Sequence, residues 1–60
     1  MYKYKINFSL LGSNSVQESF VYSEKCNLST GMSGLVKTLL SRKEGIPENK
    51  INRVSKVERC

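Results

Sequence analysis

The N-terminal segment alternates apolar and polar side chains along almost its whole length. Its apolar members occupy every second position: Tyr2, Tyr4, Ile6, Phe8 and Leu10. Because successive side chains of a strand point to opposite faces, this alternation predicts a β-strand with one buried and one wet face. Such a strand is not stable alone, so the rest of the chain has to supply a partner strand and a layer that covers the apolar face.

A turn and a second strand are predicted directly after this segment. Residues 12–15, Gly-Ser-Asn-Ser, are turn formers, because Gly and Asn tolerate positive φ and the Ser and Asn side chains bond the nearby backbone. Residues 16–22 contain the strongly β-prone run Phe20-Val21-Tyr22. The two strands are expected to pair as an antiparallel hairpin. Aromatic residues of both strands are predicted to lie in the core: Tyr2, Tyr4, Phe8, Phe20 and Tyr22.

The clearest helical pattern follows Leu28. Its apolar residues have the spacing i, i+3, i+4, i+7 and i+8: Met32, Leu35, Val36, Leu39 and Leu40. This stripe predicts a helix over residues 30–44, which would cover the hairpin. Ser29 or Thr30 is a suitable N-cap, with Leu28 packed against the start of the helix.

The C-terminal end of this helix is also marked in the sequence. Arg42 and Lys43 lie in its last turn, where positive charge complements the helix dipole. The segment Gly45-Ile46-Pro47 that follows indicates a C′ glycine, an apolar anchor and a stop.

The last segment, residues 50–58, has two interpretations. It is a third strand if Ile51, Val54 and Val57 meet the core with an irregularity between them, or a short helix if their spacing of three is helical. A second helix would permit a helix-turn-helix arrangement. The β-branched residues, and the need of a bare hairpin for a third strand, favour the strand.

The predicted fold class is therefore α+β. Residues 1–60 are expected to form a single small two-layer β-β-α-β domain, in which one helix covers an antiparallel hairpin and the C-terminus adds a third strand or a short second helix. A chain of this size buries only about 60% of the surface of its unfolded form, so its core is thin. We expect a partner, or a second copy in a homodimer, to complete it.

No apolar stretch approaches the ~20 residues that a bilayer span requires, and the start of the chain alternates instead of forming an apolar signal core. We therefore expect a cytoplasmic protein with no membrane partner. Cys26 and Cys60 are an isolated pair, which in this setting is typical of two free thiols. The chain has no His and no Asp, so no metal site and no cofactor is predicted.

An enzymatic function is not predicted. Without His, the commonest general base is missing, and neither a Ser-His-Asp nor a Cys-His arrangement can be drawn. The five Glu residues are dispersed and include no close carboxylate pair on one face of a regular element. The sequence therefore predicts a binding protein.

Charge suggests what is bound. Ten Lys and Arg residues against five Glu give a net charge of +5, which favours polyanions and also suits an ordinary soluble domain. Two of the basic residues, Lys3 and Lys5, are expected to project from an open sheet surface. A denser group in the C-terminal half is predicted to contact nucleic acid or an acidic protein surface: Lys37, Arg42, Lys43, Lys50, Arg53, Lys56 and Arg59.

Small and hydroxyl-bearing residues gather at the predicted start of the helix: Ser29, Thr30, Gly31, Ser33 and Gly34. A helix N-terminus offers free N–H groups to an anion, and glycines allow another chain to approach closely. The same residues also suit an ordinary capped helix start. We expect these residues to form an anion-binding or packing site, and an ordinary capped helix start is the alternative interpretation.

The sequence thus predicts a small non-enzymatic protein that binds nucleic acid or another polyanion through its basic C-terminal surface. The alternative is a protein-binding inhibitor or adaptor of the accessory type that phages and mobile elements encode. Such a protein could block a host nucleic-acid-processing or defence complex through its helix face or an open sheet edge.

Overall fold

The computed structural model describes all 60 residues of the chain. It contains three strands and one α-helix: β1 (Tyr2–Leu10), β2 (Val16–Ser23), α1 (Ser33–Glu44) and β3 (Ile51–Arg59). One 3₁₀ turn, Thr30–Met32, leads into α1, and a second, Glu48–Lys50, leads into β3. The predicted α+β class and the β-β-α-β order are confirmed.

The three strands form one sheet with the order β2-β1-β3, and both pairs are antiparallel. Strands β2 and β3 therefore run in the same direction on either side of β1. The connection that carries α1 passes between them and contacts both edge strands. No helix in the structure combines the length and the apolar content that crossing a bilayer requires.

Strand β1 is the central strand of the sheet, and its alternation gives it one buried face, as predicted. Tyr4, Ile6 and Phe8 point toward α1 and are at most 1% exposed. They belong to a core of nine buried residues contributed by every regular element: Tyr4, Ile6, Phe8, Val21, Leu28, Val36, Leu40, Ile51 and Val54. Leu28 belongs to this core and precedes the 3₁₀ turn that leads into α1.

The prediction that every aromatic residue lies in the core is wrong for β2. Phe20 and Tyr22 point away from α1, and the residues that face the helix are Ser19, Val21 and Ser23. Glu18 shares the orientation of Phe20, and burying that orientation would have placed an unpaired carboxylate in the core. Ser19 takes the buried position instead. Its side chain is small, and its hydroxyl donates a hydrogen bond to Glu44 Oε2 at 3.2 Å.

Tyr2 is the other aromatic residue that the prediction misplaces. It lies on the helix side at the start of β1, beyond the cover of α1, and is 43% exposed. Tyr4 and Phe8 are therefore the only aromatic residues among the nine buried core residues.

The C-terminal segment is a strand, so the helical interpretation and the helix-turn-helix arrangement are excluded. Its register with β1 shifts twice: Phe8 pairs with Val54 while Asn7 pairs with Lys56, and Leu10 pairs with Ile51 while Ser9 pairs with Arg53. Each shift inserts one extra residue, Ser55 or Asn52. These bulges are the predicted irregularity. Because each adds one residue, Ile51, Val54 and Val57 point to the same face of the sheet although they are three positions apart.

The two ends of the helix differ in how well the sequence predicts them. At the C-terminus Gly45 adopts the left-handed conformation with φ of 69°, and its N–H donates to the Ser41 carbonyl at 2.9 Å. At the N-terminus the predicted side-chain cap is absent, because neither Ser29 nor Met32 makes a capping hydrogen bond. The 3₁₀ turn replaces it, with the Met32 N–H donating to the Ser29 carbonyl at 3.0 Å.

The Tyr4 hydroxyl connects the central strand to the segment between β2 and α1. It donates to the Lys25 carbonyl and accepts the Leu28 N–H at 3.3 Å. A buried phenol normally requires such partners. Tyr4 therefore fills the core and also holds the start of the crossover in place.

We expect Tyr4→Phe to lower the free energy of unfolding by about 1–3 kcal/mol, because the buried Leu28 N–H and the Lys25 carbonyl lose their partner. Tyr22→Phe is the matched control, since it removes a hydroxyl from an exposed ring. It should change stability by less than about 0.5 kcal/mol. Urea denaturation measures both, and equal effects would contradict this role of Tyr4.

Two glycine substitutions should have opposite effects. A Cβ added at Gly34 meets no atom within 4 Å, and Gly34 lies inside α1, so Gly34→Ala should stabilise the protein by up to about 1 kcal/mol. Gly45→Ala should destabilise it by about 1–2 kcal/mol, because a Cβ is strained at positive φ. Thermal unfolding followed by circular dichroism tests both signs.

Candidate functional site on the open face of the sheet

One face of the sheet packs on α1, and the other is covered by no helix. Residues paired directly across antiparallel strands point to the same face, so the strand registers define this surface. We call it the open face. Its side chains come from all three strands: Lys3, Lys5, Asn7, Ser9, Val16, Glu18, Phe20, Tyr22, Arg53, Lys56 and Glu58.

Two exposed aromatic rings lie side by side on the open face. Phe20 is 39% exposed and Tyr22 is 51% exposed. They are two positions apart on β2, which separates them by roughly 7 Å along the strand. Because both rings are partly exposed on the same face of one strand, the pair forms a small aromatic platform.

Lysines of β1 flank this aromatic platform. Lys3 is paired with Tyr22 and Lys5 with Phe20 in the strand register. Lys3 Nζ lies 4.6 Å from the centre of the Phe20 ring, which is cation–π geometry. The Phe20 ring and the Lys3 ammonium group are therefore in direct contact.

The remaining charges of the open face are loosely paired. Lys5 Nζ lies 3.5 Å from Glu18 Oε1, and Lys56 Nζ lies 3.4 Å from Glu58 Oε2. These side chains are 40–62% exposed, and exposed pairs of this kind contribute only about 0.2–1 kcal/mol. Arg53 forms no ion pair. An incoming anion could therefore replace either glutamate at small cost.

The structure divides the predicted C-terminal basic group between two layers. Arg53 and Lys56 lie on the open face, beside Ser9 and Asn7 of β1. Three others, Lys37, Arg42 and Lys43, belong to α1 on the opposite side of the sheet. The seven residues are thus close in sequence without forming one surface.

The two remaining members of the group lie elsewhere. Arg59 is paired with Tyr4 and therefore points to the helix side, where its guanidinium carbon lies 5.2 Å from the centre of the Tyr2 ring. Its Nη1 also donates to the Cys26 carbonyl at 3.4 Å. Lys50 is exposed in the 3₁₀ turn before β3.

The C-terminal end of α1 forms a second basic surface. Arg42 and Lys43 are exposed and make no ion pair. The nearby carboxylates accept hydrogen bonds from hydroxyls instead: Glu44 from Ser19, and Glu48 from Thr38 at 3.0 Å. This surface carries charge but no exposed aromatic ring.

The predicted anion or packing site is brought together at the start of the helix. Its five residues span the 3₁₀ turn and the first turn of α1, and all are exposed: Ser29, Thr30, Gly31, Ser33 and Gly34. A Cβ at Gly31 would make an ordinary contact with Ser29 Oγ at 3.6 Å. Packing within the chain therefore requires neither glycine, and anion binding at this end stays a prediction.

The sequence interpretation missed Phe20 and Tyr22 as surface residues. Both orientations of β2 contain apolar residues, so alternation alone does not decide which one faces the core. Glu18 is the signal that indicates which face of β2 is exposed. It lies on the same face as the two rings, and the sequence offers no basic residue that would pair with it in the core.

The structure contains no pocket and no cluster of three or more potential metal ligands. Cys26 and Cys60 are both exposed free thiols. Comparison of the chain with protein-family models, with curated proteins and with solved structures found no match.

Proposed function

We propose that this protein binds single-stranded nucleic acid on the open face of its sheet and acts without catalysis. The observation that carries the proposal is the aromatic platform of Phe20 and Tyr22, exposed beside Lys3 on a face that no helix covers. Stacking of bases on aromatic rings, combined with basic residues that follow the backbone, is how proteins bind single strands without reading sequence.

The aromatic rings favour a single strand over a duplex. Bases in a duplex are stacked on one another, so their faces are not accessible to a protein side chain. An unpaired base can lie flat on Phe20 or Tyr22, and the distance between the two rings allows two nucleotides to be bound in succession. The exposed rings would therefore contribute little binding energy to a complex with a duplex.

Basic residues on the central strand and on β3 suit the phosphates. Lys3 and Lys5 lie next to the rings, and Arg53 and Lys56 lie across β1 on β3. A strand that crosses the sheet would therefore meet aromatic contacts on β2 and positive charge on β1 and β3. The basic end of α1 offers only charge, which makes it the weaker candidate for a base-stacking function.

We expect an oligothymidine probe to bind more tightly than a duplex of equal length. The affinity should fall as salt increases, with a log–log slope of about −0.7 for each phosphate contact on a single strand. The protein has no Trp, so quenching of tyrosine fluorescence on stacking is a direct readout. Absence of binding at low salt, or a preference for the duplex, would overturn the proposal.

Removing either ring of the platform should weaken binding. Phe20→Ala and Tyr22→Ala are each expected to raise the Kd for the oligothymidine by about ten-fold, because stacking contributes about 1–3 kcal/mol per base. Tyr2→Ala is the matched control, since Tyr2 is equally exposed but lies on the helix side. Circular dichroism confirms that each variant folds, and equal losses in all three would contradict the assignment of the site.

Two charge-matched double variants distinguish the sheet from the helix. Arg53→Gln with Lys56→Gln removes two cations from the open face, and Arg42→Gln with Lys43→Gln removes two from the end of α1. The first pair should reduce the steepness of the salt dependence by about 1.4 and the second should leave it nearly unchanged. The reverse result would assign binding to the helix surface.

A further inference from the structure

The two edges of the sheet are not equivalent. Strand β3 carries two bulges and three basic residues, features that discourage pairing with another strand. Strand β2 pairs with β1 from Val16 to Ser23 without a single register shift, and it contains no Lys, Arg, Pro or Gly. It is a regular, unprotected edge of eight residues.

Hydrogen bonds of β1 show which backbone groups of β2 are free. The carbonyl of Lys3 accepts the Cys60 N–H at 3.0 Å, and the carbonyl of Asn7 accepts the Ser55 hydroxyl at 3.1 Å, so odd-numbered residues of β1 direct their backbone toward β3. Even-numbered residues therefore bond to β2, and their partners are the odd-numbered residues of β2.

The even-numbered residues of β2 consequently direct their backbone N–H and C=O groups away from the sheet. In the body of the strand these are Glu18, Phe20 and Tyr22. A second antiparallel strand could pair with all of these groups at once.

Charge distinguishes β2 from the other surfaces through which two copies of the chain could meet. The chain carries a net charge of +5, so two copies repel each other over most of their surfaces. Strand β2 is the one regular element with a net negative charge, because Glu18 is its only charged residue, whereas β1, α1 and β3 are each net positive. Two copies can therefore approach most closely through β2.

We propose that β2 pairs antiparallel with β2 of a second copy, so that two three-stranded sheets join into one continuous sheet. This inference does not depend on nucleic-acid binding. When the helices lie on the same side, a two-fold axis at Ser19 or at Phe20 brings the free backbone groups of both strands together. Either register places Glu18 opposite an aromatic residue, Phe20 or Tyr22, and never opposite its own copy.

A pair of charge reversals tests this interface. Glu18→Lys puts a lysine on the β2 edge, and Glu58→Lys makes the same change of charge on the β3 edge. Each variant also loses one exposed ion pair with a lysine of the open face, so the two are closely matched. Sedimentation equilibrium over a wide range of protein concentration gives the dissociation constant of the dimer.

The wild-type chain and Glu58→Lys should both form dimers, and Glu18→Lys should raise the dissociation constant by about ten-fold or more relative to Glu58→Lys. Glu18→Pro, which removes an outward N–H without touching the β1 pairing, should have the same effect. A wild-type chain that remains a monomer at the highest concentration would overturn the proposal, as would equal dimerisation of the two lysine variants.

Hydrogen exchange locates the contact independently of the substitutions. The amides of Glu18, Phe20 and Tyr22 should exchange quickly in dilute protein and slowly in concentrated protein, while β3 amides stay unchanged. Concentration-dependent protection confined to β3 or α1 would also overturn the assignment of β2.

Discussion

Burial of one face of β1 is the constraint on which the rest of this structure depends. Tyr4, Ile6 and Phe8 lose nearly all of their contact with solvent, and this requires a strand on each side and a helix above. The Tyr4 hydroxyl is a polar group within this core, and the segment before α1 satisfies it with backbone groups of Lys25 and Leu28. The same residue, Tyr4, thus packs the central strand into the core and holds the start of the crossover in place.

A single helix can cover only one face of the sheet, so the opposite face is available to a ligand. An ordinary polar surface would complete such a sheet, but β2 presents Phe20 and Tyr22 there beside lysines of β1. Their rings contribute less to folding than buried rings would. Their outward orientation keeps Glu18, which lies on the same face, in contact with solvent, and it leaves both rings accessible for the binding proposed above.

The sequence predicts most of the fold because its elements have strong local signals. Alternation in β1, the helical stripe before Gly45, and the spacing of Ile51, Val54 and Val57 all correspond to observed elements. The site is less predictable for two physical reasons. The orientation of β2 depends on which of its two faces packs against α1, a tertiary effect that leaves Glu18 exposed. The turn between α1 and β3 places basic residues that are near in sequence on opposite layers of the fold.

Strand β2 carries both the aromatic platform and the unprotected edge, and these two features support each other. Pairing of two β2 strands would place the four rings of two platforms at the centre of one continuous open face, with the basic strands β1 and β3 on either side. The only negative charge of β2, Glu18, would then lie near the seam, where it lowers repulsion between two basic chains. One strand would thereby set both how copies associate and where a single-stranded ligand stacks.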